Sequence, residues 1–144
     1  SKRLKSSGRR SRKSTTIFSI TASLLSPAAP PPPPDPCSGG MALSPGDTFS
    51  SPNYPSNYQS NRNCQWTMDC PTGTPTVTFS AFNLENNWDF MHFDLSGNGA
   101  ADASLTGSDI PDPVTGSAGT QALAVFMSDG SVNRPGFEAT FTCP

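Results

Sequence analysis

Four cysteines, Cys37, Cys64, Cys70 and Cys143, and one histidine, His92, have the widest chemical range in this chain. Thiolates in C-x-x-C pairs would bind zinc or exchange disulfides, and a cysteine served by a histidine would make a nucleophile. Neither arrangement can be assembled. No C-x-x-C pair occurs, and a single histidine leaves the usual zinc and thiol-catalysis sets short of parts. Two structural disulfides are the use that remains, and they imply an oxidising compartment. Ser128-Asp129-Gly130-Ser131 supplies a hydroxyl and an acid, but no motif ties His92 to it, so a hydrolase is not expected. Residues 50–66, SSPNYPSNYQSNRNCQW, raise a different possibility. A tyrosine held in a turn of Ser, Pro and Asn has its ring free for packing and its hydroxyl free for a buried carboxylate.

The elements that position these residues are short strands. With 16 Pro, 12 Gly and 14% charged residues in 144, the composition is that of a turn-rich β protein and not of a helix bundle. In CQWTMDC, Cys64, Trp66, Met68 and Cys70 share one face of a strand and Gln65, Thr67 and Asp69 the other. In GFEATFTC, Phe137, Ala139, Phe141 and Cys143 alternate in the same way, which turns Cys143 inward. Further strands are expected over Thr76–Asn83, residues 88–95 and Gln121–Met127, separated by the turn-rich stretches LSGNGAADAS and DIPDPVTGSAGT. His92 shares parity with Trp88, Phe90 and Asp94 and belongs on the less buried face. Several short strands without an amphipathic helix predict an antiparallel β-sandwich.

The charge is divided along the chain. Of the nine Lys and Arg residues, all but Arg62 and Arg134 fall between Lys2 and Lys13, whereas every carboxylate except Asp35 lies beyond Cys37. The folded part is therefore acidic, which excludes nucleic acid and favours cations or lysine-bearing partners. Residues 1–36 join a basic, Ser-rich run, the apolar stretch TIFSITASLL and the polyproline segment SPAAPPPPPDP. They have no core and are expected to form a disordered tether or linker, with some likeness to a signal sequence. The apolar stretch is shorter than the roughly 20 residues needed to span a bilayer. No N-x-[ST] sequon occurs, so N-glycosylation is not expected.

From residue 37 to 141 the chain resembles the CUB domain family. The likeness is carried by Cys37-Ser38-Gly39-Gly40, Gly46-Asp47-Thr48-Phe49, Ser51-Pro52-Asn53-Tyr54-Pro55 with Tyr58, and Cys64-Gln65-Trp66. It continues through Phe82-Asn83-Leu84-Glu85, Trp88-Asp89, Ser128-Asp129-Gly130-Ser131 and Gly136-Phe137-Glu138-Ala139-Thr140-Phe141. The combination of S-P-N-Y-P before C-x-W with S-D-x-S and G-F-x-A-x-F is specific. It implies an extracellular jelly-roll sandwich over residues 37–144 that acts in recognition and is not an enzyme.

The family's usual second disulfide joins a cysteine just before its Tyr-Asp pair to one in a Leu-Cys-Gly motif. Here the two regions are Glu85-Asn86-Asn87-Trp88-Asp89 and Leu105-Thr106-Gly107, so both cysteines are missing together. Cys70 and Cys143 are additional, and the resemblance therefore pairs Cys37 with Cys64 and Cys70 with Cys143. It also implies one calcium ion, with Glu85, Asp89 and Asp129 as carboxylate ligands and Tyr54 supporting them. Ser131 and Val132 would offer carbonyl oxygens, and Asn133 a side-chain oxygen. Three converging carboxylates need a cation, and calcium takes six to eight oxygen ligands, so the set is chemically sound. A protein ligand presenting lysine is the expected partner, in a secreted or cell-surface setting. The alternative is a carbohydrate or matrix binder that stacks sugar rings on Tyr58 or Trp88.

Overall fold

The computed structural model describes residues 35–144, which form two stacked sheets without a helix. The strands are β1 (Met41–Leu43), β2 (Thr48–Ser50), β3 (Asn63–Asp69), β4 (Thr76–Asn83), β5 (Phe90–Asp94), β6 (Ala103–Leu105), β7 (Val114–Thr115), β8 (Gln121–Met127) and β9 (Gly136–Thr142). One sheet has the order β1-β3-β8-β5-β6 and the other β2-β9-β4-β7. Every pairing is antiparallel except β1 with β3.

The long strands form where side chains alternate. In β3, Cys64, Trp66 and Met68 are buried while Asn63, Gln65 and Asp69 are exposed. β8 and β9 bury Ala122, Ala124, Phe126 and Phe137, Ala139, Phe141 by the same period of two. These inner faces meet in an aromatic core. Phe137 lies edge-on to Phe49, Trp66 and Phe79, with ring centroids 5.8, 5.6 and 6.1 Å away. Such tilted contacts favour the ring quadrupoles as well as burial.

The expected strands over Thr76–Asn83 and Gln121–Met127 have those limits, but the strand expected over 88–95 is shorter. Trp88 and Asp89 both donate their N–H groups to the Glu85 carbonyl, which forms a turn and delays β5 to Phe90. His92 takes the outer face as expected, with its ring stacked on Phe90 and its Nδ1 2.7 Å from Ser104 Oγ. The stretches LSGNGAADAS and DIPDPVTGSAGT are not purely turns, because they contribute to β6 and supply β7. These strands have two or three residues and too few side chains to show a period. They form because β5 and β4 each present an unpaired edge. β1 and β2 are equally short, so all four sheet edges are brief, which limits pairing with other chains.

Cys37 is bonded to Cys64, and Cys70 to Cys143. The folded unit also begins earlier than residue 37. Pro36 accepts from Gln65 N at 2.8 Å, while Asp35 accepts from Ser38 N through its carbonyl and from Cys37 N through its carboxylate. The remainder of the expected tether, residues 1–34, lies outside the described residues.

Strand register brings distant loops to one end of the sandwich. Phe90 pairs with Met127, so Asp89 and Asp129 leave the first sheet side by side. Asn83 pairs with Gly136 in the second sheet, which puts Glu85 at the same end as residues 131–134.

Candidate metal centre

Glu85, Asp89 and Asp129 each present a carboxylate oxygen within 4.8 Å of the other two. Asp89 has no solvent exposure. Its Oδ2 accepts from the Tyr58 hydroxyl and its Oδ1 from Asp129 N at 2.8 Å. The same Tyr58 oxygen accepts from Glu85 N at 3.1 Å, so one hydroxyl joins two of the three acids. Asp129 Oδ1 accepts from Ser131 N at 3.2 Å.

Tyr58 can serve this end because its backbone and ring are both fixed. Its N–H donates to the Arg134 carbonyl, and its ring lies edge-on to Phe126 with centroids 5.0 Å apart. Burial above all, and then the hydrogen bond to Asp89, raise the hydroxyl's pKa far above the ordinary phenol value. It remains a donor. Tyr58→Phe should keep the ring packing but leave a buried carboxylate oxygen and Glu85 N without their partner. We expect a loss of about 1.5–3 kcal/mol in urea unfolding, as for other hydrogen bonds to charged groups.

The role expected of Tyr54 therefore belongs to Tyr58. The turn carries Tyr54, half-buried, to a cavity of about 370 Å³ that it lines with Asp35, Pro36, Met41, Pro52 and others, while Tyr58 enters the core four residues later. Tyr58 is also no stacking platform for a sugar, contrary to expectation, since only 1% of it is exposed. Trp88, in contrast, is 66% exposed on the turn between Glu85 and Asp89.

Ser128 fastens the third acid's loop. Its hydroxyl donates to the Gln59 carbonyl at 2.7 Å and accepts from Arg62 N at 2.9 Å. Of the other residues put forward as ligands, Ser131 is exposed, and Val132 is exposed with a φ of 59°. Asn133 is engaged with the tyrosine turn: its side-chain oxygen accepts from Ser60 Oγ and its carbonyl from Asn57 Nδ2, each at 3.1 Å.

Thr106, in the Leu-x-Gly position of the missing cysteine, is a part of the site that no motif marks. Its hydroxyl lies 2.7 Å from the Asp89 carbonyl and 3.1 Å from that of Glu85, and it accepts from Asn87 N at 2.9 Å. Leu84 N also donates to the Gly107 carbonyl. Hydrogen bonds thus tie together the two segments that a disulfide would otherwise join.

The donor set fits a hard divalent cation. Glu85 Oε2 is buried without a hydrogen-bond partner among the described residues, a costly state for an acceptor. Burial, followed by the Asp129 and Asp89 charges, raises the Glu85 pKa, and Arg134 offsets part of this. Each Asp89 oxygen accepts one hydrogen bond and retains a second lone pair. A set of three carboxylates is calcium-type and not zinc-type.

A two-sheet sandwich with two disulfides and an acidic cluster at one end defines an all-β module of the CUB type. The family model described as CUB domain matches residues 37–141, and the chain belongs to that family. It is 38% identical over 115 residues to cubilin of Sus scrofa, covering 73% of this chain but 3% of cubilin. It is 34% identical over 105 residues to Tolloid-like protein 1 of Mus musculus, covering 67% of this chain and 10% of that protein. The chain thus spans a small part of these relatives. Among solved structures, the full extracellular region of zebrafish Gpr126/Adgrg6 matches with a TM-score of 0.61 and 28% identity, covering 70% of this chain and 14% of that one. The MASP-1 CUB2 domain bound to Ca²⁺ shares the fold, with a TM-score of 0.63 at 23% identity over 74% of this chain and all of that one.

Proposed function

We propose that this domain is an extracellular, non-catalytic recognition module that binds a protein partner through a loop edge organised by one calcium ion. The observation that carries this reading is the convergence of three carboxylates, one of which, Glu85, has a buried oxygen without a hydrogen-bond partner among the described residues. Glu85, Asp89 and Asp129 would hold the ion, with carbonyls of Ser131 and Val132 as further candidates. The calcium carried by the MASP-1 CUB2 structure supports the assignment by analogy. Calcium would neutralise the mutual repulsion of the acids and hold their three loops together. Three carboxylates and one divalent ion leave one negative charge, which suits a lysine on the partner.

Membership of the CUB family supports the extracellular and non-catalytic parts of the reading. No helix among the described residues is long and apolar enough to cross a membrane. Calorimetric titration of the full chain with calcium should give saturable one-site binding and a higher Tm. A Tm indifferent to both calcium and chelator would remove the metal from the proposal.

The second reading, a carbohydrate or matrix binder, is favoured by Trp88, whose exposed ring beside the acids could stack on a sugar. A glycan array and a panel of lysine-rich proteins, each with calcium and with chelator, separate the two. Chelator-sensitive protein capture favours the first, and chelator-sensitive glycan capture the second.

A further inference from the structure

Beside the carboxylate cluster lies a polar cavity of about 330 Å³ lined by Asn83, Leu84, Asn86, Gly107, Ser108 and Arg134. Among the described residues no acidic side chain lines it, although Glu85 stands between two of its wall residues. Its walls are fixed by the strand register and by backbone hydrogen bonds. Asn83 is the last residue of β4 and pairs with Gly136, and Leu84 N holds the Gly107 carbonyl at 2.8 Å. Arg134 is pinned through its carbonyl by Tyr58 N, while the residue as a whole is exposed. One tyrosine thus positions both Asp89 and Arg134.

We infer that this cavity is a second recognition point, which takes a carboxylate of the partner on Arg134 with help from Asn83 and Asn86. The inference rests on the reading of this end as a protein-binding edge and names what that edge selects. A guanidinium offers a planar fork of N–H donors that matches a carboxylate, and side-chain amides and the Ser108 hydroxyl can donate to the remaining lone pairs. Arg134 is one of only two basic residues beyond Lys13, in an otherwise acidic domain. A general negative charge is therefore repelled, whereas an anion placed at this cavity meets the Arg134 charge, which also bears on Glu85. Next to it, Glu85 and its neighbours attract a cation. The edge accordingly reads two opposite charges a short distance apart, a lysine and a glutamate or aspartate on one partner surface. A partner rich in lysine alone would leave the cavity unfilled, which gives selectivity that the acidic cluster by itself lacks.

The test uses the isotope-labelled full chain in calcium buffer. N-acetyl-L-glutamyl amide should shift the side-chain amide signals of Asn83 and Asn86 and the Arg134 Nε–H signal saturably, whereas the glutaminyl counterpart should not. Arg134→Met should abolish the shifts without unfolding the domain, since the residue is exposed. Asp129→Asn, which disables the carboxylate cluster, should leave them in place. Peptides carrying lysine and glutamate one to four residues apart then probe both points together. Glutamate-to-glutamine replacement should weaken binding to wild type by about tenfold or more, and binding to Arg134→Met hardly at all. Equal shifts from the glutamyl and glutaminyl compounds, or shifts that survive Arg134→Met, overturn the inference. Intact glutamyl shifts with no binding of any lysine peptide would uphold the carboxylate site and overturn the protein-edge reading.

Discussion

Asp129→Ala should abolish calcium binding while leaving the sandwich folded. Its carboxylate is one of the three that meet within 4.8 Å, yet its backbone N–H, which holds Asp89 Oδ1, survives the substitution. Asp89 therefore keeps both hydrogen-bond partners, and the core strands keep their register. What disappears is a charged oxygen that calcium requires, and an affinity loss of about a hundredfold or more is expected. Linkage supplies the readout. Wild type at calcium one hundred times its Kd should gain about 2.7 kcal/mol of stability, and the variant close to none. Asp112→Ala, an exposed acid outside the cluster, provides the control and should retain the full gain. A variant that still stabilises in calcium as wild type does would remove Asp129 from the site.

Gly136→Ala should be the most damaging single methyl addition in the domain. Gly136 has a φ of 90°, and a Cβ there would overlap Ser51 Oγ, come within 2.7 Å of Ser51 Cβ and press on the Tyr58 ring at 3.3 Å. Ser51 cannot easily retreat. It is 2% exposed, its Oγ accepts from Phe137 N, and its N–H donates to the Phe137 carbonyl, both at 3.1 Å. Left-handed strain and overpacking together should cost about 3 kcal/mol or more in urea unfolding. Gly99→Ala isolates the first contribution, because Gly99 has a φ of 84° with nothing within 4 Å of the added carbon. That variant should lose about 1 kcal/mol. Equal losses at the two positions would mean that the close approach of Ser51 has no cost. Displacement of Tyr58 should also weaken calcium binding in Gly136→Ala, which links the packing of β9 to the proposed metal site.

The parts of the molecule that repeat a local rule are legible without the fold. Alternation in CQWTMDC and GFEATFTC is enough to assign the inner faces of β3 and β9, because a strand's side chains must point to opposite sides. The CUB motifs supplied the cysteine pairing and the three acids, since those residues stand in recognisable surroundings. The short strands β6 and β7 gave no such signal. They exist because β5 and β4 have free edges, and no local pattern marks that.

Which tyrosine serves the acids is set by contacts between distant parts of the chain. Tyr54 and Tyr58 lie in the same Ser, Pro and Asn-rich turn, and nothing in their neighbours separates them. The choice falls on Tyr58 because the Arg134 carbonyl, 76 positions away in the chain, fixes its N–H, and Phe126 receives its ring. Thr106 likewise gains its place between Glu85 and Asp89 only when β6 pairs with β5. The cavity at Arg134 was illegible for the same reason: its walls come from three separate segments of the chain. Local sequence sets which face of a strand is apolar, but a site assembled from loops is set by strand register, which depends on pairings between residues far apart in the chain.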